Sequence, residues 1–167
     1  AVAEDKAVGF FPSITNGTVI KNLNFDNAFL NGKDSDGGVV AGIAIYYNWN
    51  YRAQITNCSV INAVVGQYNM EFAAGFVGDA QNVKFPFTNC YTYNSTFSDW
   101  STGAGIVAND WDSGDIKIDN CYSAGAYPVR ANINKAVVTN TYTNMAAPEG
   151  NVTENIVTLT DEQMKGE

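Results

Sequence analysis

Apolar positions recur along the chain in one short phrase: an apolar residue, any residue, Asn, then a small or apolar residue. It reads Ile20-Lys21-Asn22-Leu23, Ile55-Thr56-Asn57-Cys58, Phe87-Thr88-Asn89-Cys90, Ile118-Asp119-Asn120-Cys121 and Val138-Thr139-Asn140-Thr141, with successive Asn residues 35, 32, 31 and 20 positions apart. A second phrase precedes it: Gly9-Phe10-Phe11, Gly38-Val39-Val40, Gly75-Phe76-Val77 and Gly105-Ile106-Val107. The last turn has no clear copy. Five residues after each of the first four Asn stands Asn27, Asn62, Asn94 or Gly125. Asn and Gly best tolerate positive φ, so this column predicts a recurring turn.

Relative to the repeated Asn, apolar residues fall at −2, +1 and, less strictly, +3. Strict alternation would need even spacing, so the chain must bend at Asn to keep both neighbours inward. Asn at a bend in consecutive coils suggests a stacked ladder of side-chain amides, each with a donor and an acceptor end. Asn22, Asn57, Asn89, Asn120 and Asn140 are therefore expected to form a structural ladder and not a ligand site. About twenty residues is the least that can trace three short strands and their corners, at roughly 3.3 Å per residue. The spacing predicts an all-β chain, a right-handed parallel β-helix of about four to five coils. The coils are placed near 9–32, 37–67, 73–99, 103–129 and 130–147, in a repeat domain over 1–158. Thr160 followed by Gln163 reads as a capping box, so 159–167 is expected to be a short helical or irregular cap, or a linker.

Cys58, Cys90 and Cys121 share one repeat position, where Leu23 and Thr141 stand in the outer turns. Disulfide frameworks use even numbers of Cys at unlike positions, so these read as free thiols stacked in an interior column. The chain has no His and no C-x-x-C spacing, which argues against a metal site there.

Composition adds little to the fold and more to the partners. With 167 residues, 9 basic and 17 acidic, the net charge is −8, which disfavours nucleic acid and anionic membrane. No apolar run is long enough to span a bilayer. The first residues lack the apolar region of a signal peptide, so the chain reads as a mature fragment. Charged residues make up only 16%, giving the polar, weakly charged surface common among secreted β-proteins.

Two stretches carry candidate chemistry. Asn109-Asp110-Trp111-Asp112-Ser113-Gly114-Asp115 alternates oxygen ligands with a Gly bend, so Asp110, Asp112 and Asp115 are candidate calcium ligands. Asp34-Ser35-Asp36-Gly37 is a weaker version. The Glu that closes an EF-hand loop is missing, and such residues are also ordinary in loops. Tyr46, Tyr47, Trp49 and Tyr51, with Trp100 and Trp111, fall in the extra loop lengths. Loop aromatics beside Asn and Asp suit stacking on sugars, although they also pack locally in small domains. Tyr91, Tyr122 and Tyr142 directly follow the interior column and should point outward in a row.

These phrases make the chain resemble the GLUG-repeat proteins of bacterial surfaces. The match is carried by Gly75-Phe76-Val77-Gly78 with Asn89-Cys90-Tyr91, and by Gly105-Ile106-Val107 with Ile118-Asp119-Asn120-Cys121-Tyr122-Ser123-Ala124-Gly125. Pro12, Ala41 and Ala108 stand where the family has Gly. The resemblance implies a β-solenoid, export and a cell-surface or secreted place in bacteria. It transfers no catalytic residue.

The functional expectation is a non-enzymatic structural or adhesive module meeting glycans or cell-surface proteins. The alternative is a carbohydrate-binding module using Tyr47, Trp49, Tyr51, Trp100 and Trp111. A polysaccharide lyase or hydrolase is the third reading, and few bases and unpaired acids count against it.

Overall fold

Asn accepts a left-handed backbone more readily than other non-Gly residues. Every Asn of the repeated phrase adopts one: φ is 58, 53, 53, 51 and 47° at Asn22, Asn57, Asn89, Asn120 and Asn140. The second column follows suit, with φ of 56, 54, 48 and 92° at Asn27, Asn62, Asn94 and Gly125. Strands between such corners stay short, because each corner turns the chain before it can run further. The computed structural model describes residues 7–15, 17–32, 35–45, 53–66, 70–81, 86–98, 103–111, 116–129, 136–147 and 155–165.

In chain order the first pass contains β1 (Phe11–Ile14), β2 (Val19–Lys21), β3 (Asn24–Asp26) and β4 (Phe29–Leu30). The second has β5 (Asp36–Gly38), β6 (Ala41–Ile45), β7 (Gln54–Thr56), β8 (Ser59–Ile61) and β9 (Val64–Val65). The third has β10 (Phe72–Ala74), β11 (Val77–Gln81), β12 (Pro86–Thr88), β13 (Tyr91–Tyr93) and β14 (Thr96–Phe97). Then come β15 (Val107–Trp111), β16 (Lys117–Asp119) and β17 (Tyr122–Ser123), and after them β18 (Val137–Thr139) and β19 (Thr141–Thr143). The strand β20 (Ile156–Thr158) and the helix α1 (Asp161–Lys165) complete the described elements.

The chain is thus all-β, with parallel strands in several sheets. One sheet holds β1, β6, β11 and β15; a second holds β2, β7, β12, β16 and β18. A third holds β3, β8, β13, β17, β19 and β20; a fourth, β4, β9 and β14; a fifth, β5 and β10. The chain enters these sheets in the same cyclic order on successive passes, and isolated bridges Val8 to Gly37, Ala74 to Ala104 and Val107 to Val129 keep that order where strands are too short.

Register brings like residues together. Ile20, Ile55, Phe87, Ile118 and Val138 are mutual neighbours in the second sheet, all buried. Paired strands lie about 4.8 Å apart, so these side chains interlock, and each contributes about 1.5–3 kcal/mol by leaving water. The Gly-led phrase supplies the facing wall, where Phe76 meets Phe87 edge-on at 6.2 Å. Gly75 is required there: a Cβ would collide with the Gly105 carbonyl and the Thr92 side chain.

The third sheet's inward column changes character along the molecule. Phe25 and Val60 give way to Thr92, Ser123 and Thr143, whose side chains are buried. Their hydroxyls are satisfied locally, with Thr92 and Ser123 2.8 Å apart and Ser123 donating to the Ala126 carbonyl at 2.7 Å. This explains the loose apolarity at +3: a hydroxyl fits wherever a partner is within reach. The structure also adds a sixth corner. Asn155 has φ 64°, and β20 behind it pairs with β19, so Ile156 stands next to Thr141.

Candidate functional site

Tyr46, Tyr47, Trp49, Tyr51, Trp100, Asp112 and Asp115 lie outside the described residues. Asp110 and Trp111 end the strand β15 and do not lie in the loop expected for them, and their side chains lie outside the described residues as well. The described surface offers a candidate elsewhere, on the outer face of the third sheet.

That face is framed by two lines of corner amides. At the first corner Asn57 Nδ2 donates to Asn22 Oδ1 at 3.2 Å, Asn89 to Asn57 at 2.9 Å and Asn120 to Asn89 at 2.7 Å. Asn140 instead donates to Asp119 Oδ1 at 3.1 Å, beside the Thr139 hydroxyl at 2.6 Å. Those two donors, Thr139 first, hold the Asp119 carboxyl below the usual carboxylate range. At the second corner Asn62 donates to Asp26 Oδ1 at 2.9 Å and Asn94 to Asn62 Oδ1 at 2.6 Å. The next corner is Gly125, which has no side-chain amide, so among the described residues the Asn94 side-chain oxygen receives no donor from the following pass. The Gly125 N–H is taken by Asn144 Oδ1 at 3.0 Å, and Asn144 Nδ2 donates to Asp161 Oδ1 at 2.7 Å.

Between the corners, Asn24, Ser59, Tyr91, Tyr122 and Tyr142 occupy one register column on this face, in which Ser59 is buried. Tyr91 and Tyr122 stack with ring centroids 6.1 Å apart and planes 23° off parallel. Tyr91, Tyr93 and Tyr142 are exposed, at 37, 49 and 38%. The helix α1 lies against this row. It starts from a reciprocal cap in which Thr160 N donates to Gln163 Oε1 at 2.9 Å and Gln163 N donates to Thr160 Oγ1 at 3.2 Å.

Strand face and helix enclose a groove of about 450 Å³, lined by Tyr93, Asn94, Tyr122, Asn144, Asp161 and Met164 among others. Two further depressions share the face: one of about 310 Å³ over Asn24, Ser59 and Tyr91, and one of about 210 Å³ between Tyr142, Leu159 and Gln163. Burial, with Tyr93, Asp161 and Tyr91 nearby, pushes the Tyr122 phenol above its ordinary pKa, so it stays a neutral donor and acceptor. The arrangement suits recognition: aromatic surface for an apolar face, and amide and carboxylate oxygens for hydroxyl groups. Sequence reasoning picks out the tyrosine row but not Tyr93, Asn144, Asp161 or Met164. The only signal for them is the Gly in an Asn column.

The cysteines lie behind this face. Cys58, Cys90 and Cys121 are free and buried, and each thiol donates at 3.3 Å to the carbonyl two residues back. Thr141 and Ser95 make the same bond with hydroxyls, at 2.9 Å each. The position after a corner Asn therefore accepts a small side chain with a hydrogen to donate. Burial pushes the Cys58 thiol up, and the hydrogen bond with Cys121 together with burial pushes Cys90 up, so both stay protonated and poorly nucleophilic.

Elsewhere, burial and the charges of Asp79 and Glu71 raise Asp36 to about 7. Among the described residues no three His, Cys, Asp or Glu side chains gather into a metal-ligating group. Comparison with protein-family models, curated proteins and solved structures finds no match.

Proposed function

We propose that this chain is a non-enzymatic structural and adhesive module of a bacterial cell-surface or secreted protein. It winds as a right-handed parallel β-helix of the GLUG-repeat kind and presents one aromatic sheet face and its unequal loops. The observation that carries this is the cyclic order of parallel pairing, with equivalent Asn residues 35, 32 and 31 positions apart and hydrogen-bonded to one another. Parallel crossovers are right-handed in nearly all proteins, which supports the handedness. A solenoid joins each repeat to its neighbours alone, so it makes a rigid rod for display. The recurring residues are used up by contacts with their own copies, which favours a scaffold over a catalyst.

Deleting residues 89–119 tests the architecture, because it joins Thr88 to Asn120 and preserves the phrase. A folded, shorter protein with β-type circular dichroism is the expected result; an unfolded chain would overturn the solenoid. Beads coated with the module should adhere to cell surfaces better than uncoated beads, and equal adhesion would remove the adhesive role. Incubation with pectin-like and neutral polysaccharides should release no new ends, and release would establish an enzyme.

A further inference from the structure

We infer that the groove between the third sheet and α1 binds an uncharged glycan, which stacks on Tyr93 and Tyr122 while its hydroxyls bond to Asn94, Asn144 and Asp161. This rests on the adhesive reading and names the ligand class for it. The groove exists because the second corner column loses its side chain at Gly125, where an Asn would continue the ladder and occupy the space. The same position leaves free Asn94 Oδ1, the counterpart of the Asn62 Oδ1 that accepts from Asn94. Asp161 is held in place by Asn144, which leaves its second oxygen available. A hydrogen-bond acceptor, an oriented carboxylate and two rings are thus fixed on elements of the scaffold, which limits the ordering cost on binding.

Chemistry narrows the occupant. A pyranose has an apolar C–H face for the rings and hydroxyls for the oxygens. An acidic polymer or a phosphate would meet Asp161 within a chain of net charge −8, and among the described residues none that lines the groove is a Lys or Arg. A small organic cation would suit Tyr93, Tyr122 and Asp161, but would leave the rest of the face unused. The depression beside Tyr142 shares Tyr122 and Met164 with the groove and extends it along the sheet face, from the pass of Tyr122 to that of Tyr142. Those passes are about 4.8 Å apart, close to the length of one sugar unit, so an extended chain can follow the tyrosine row.

Affinity gel electrophoresis of the whole chain tests this, with hydroxyethylcellulose, galactomannan or polygalacturonate cast in the gel. Retardation by a neutral polymer is expected, with none by polygalacturonate. Tyr93→Ala and Asn94→Gly should each weaken binding about tenfold. Tyr93→Ala should keep the parent's melting curve, since Tyr93 is exposed, and Asn94→Gly should stay folded and melt only a few degrees lower, since Gly accepts φ 48° and only the bond to Asn62 is lost. No retardation by either neutral polymer, retardation by polygalacturonate alone, or undiminished binding by both variants would each overturn the inference. So would displacement of the bound polymer by millimolar tetramethylammonium, which would assign the groove to a cation. Adhesion of coated beads without polymer binding would sink the glycan groove and leave the adhesive module standing; release of new polymer ends would do the reverse.

Discussion

At the first corner of four successive passes, Asn22, Asn57, Asn89 and Asn120 carry a continuous series of amide hydrogen bonds, and in the next pass Asn140 shifts its bond to Asp119. At the second, the series runs through Asp26, Asn62 and Asn94 and stops at Gly125. Both corners need a left-handed backbone, and Asn or Gly can supply it. Only Asn adds a bond to the next pass. The first corner therefore behaves as a seam. The second is free to lose its amide once, and a groove opens where it does. Regularity and recognition lie about one strand apart on the same sheet.

Substitutions can break or sharpen that contrast. The largest effect is expected where both corners share a core: Phe87→Ala should cost about 3–5 kcal/mol in denaturant unfolding. A loss below about 1 kcal/mol would mean that the stacked columns are not interlocked. Next comes the seam itself. Asn89→Ala loses two ladder bonds and strains the corner, for about 3 kcal/mol, while Asn94→Ala loses one bond and should cost about 1 kcal/mol less. Asn89→Gly should recover the backbone part and leave only the lost bonds. Equal costs for the two alanine variants would show that the second ladder bond at Asn89 contributes nothing.

Asp36 gives a control away from both corners. Its folded pKa, about 7, stands above the ordinary value of 3.8, so the folded state binds more protons between those limits. Stability from this group is complete below the lower value and falls as pH rises toward the upper one. Asp36→Asn should therefore raise the melting temperature by a few degrees at pH 8 and leave it unchanged near pH 4. Parallel pH profiles for the two proteins would contradict the burial that drives the shift. The smallest effect is expected from Gly125→Asn. A new ladder bond offsets a Cβ placed 3.1 Å from the Ser95 carbonyl at φ 92°, so stability should change by less than about 1 kcal/mol. Polymer retardation, in contrast, should disappear as the side chain fills the groove.

The corners are legible in the sequence because few residues accept their backbone, and each pass states the requirement again with an apolar residue two positions earlier. Parallel pairing follows from the near-equal spacing. Asn155 escapes notice because Thr153, not an apolar residue, precedes it by two, and because it stands too close to Asn140 for a full pass. The hydroxyl column at Thr92, Ser123 and Thr143 is illegible for another reason: buried hydroxyls depend on partners such as the Ala126 carbonyl, which the repeat does not specify.

The groove shows the same division. Sequence alone determined that Tyr91 and Tyr122 share an outward column and that one Asn position holds Gly, since strand period and left-handed φ are local constraints. Only the tertiary structure decided that Tyr93, Asn94, Asn144, Asp161 and Met164 meet, because they belong to separate passes and a C-terminal segment. Packing of α1 on the tyrosines and the Asn144–Asp161 hydrogen bond bring them together, and these are long-range contacts that no local pattern encodes.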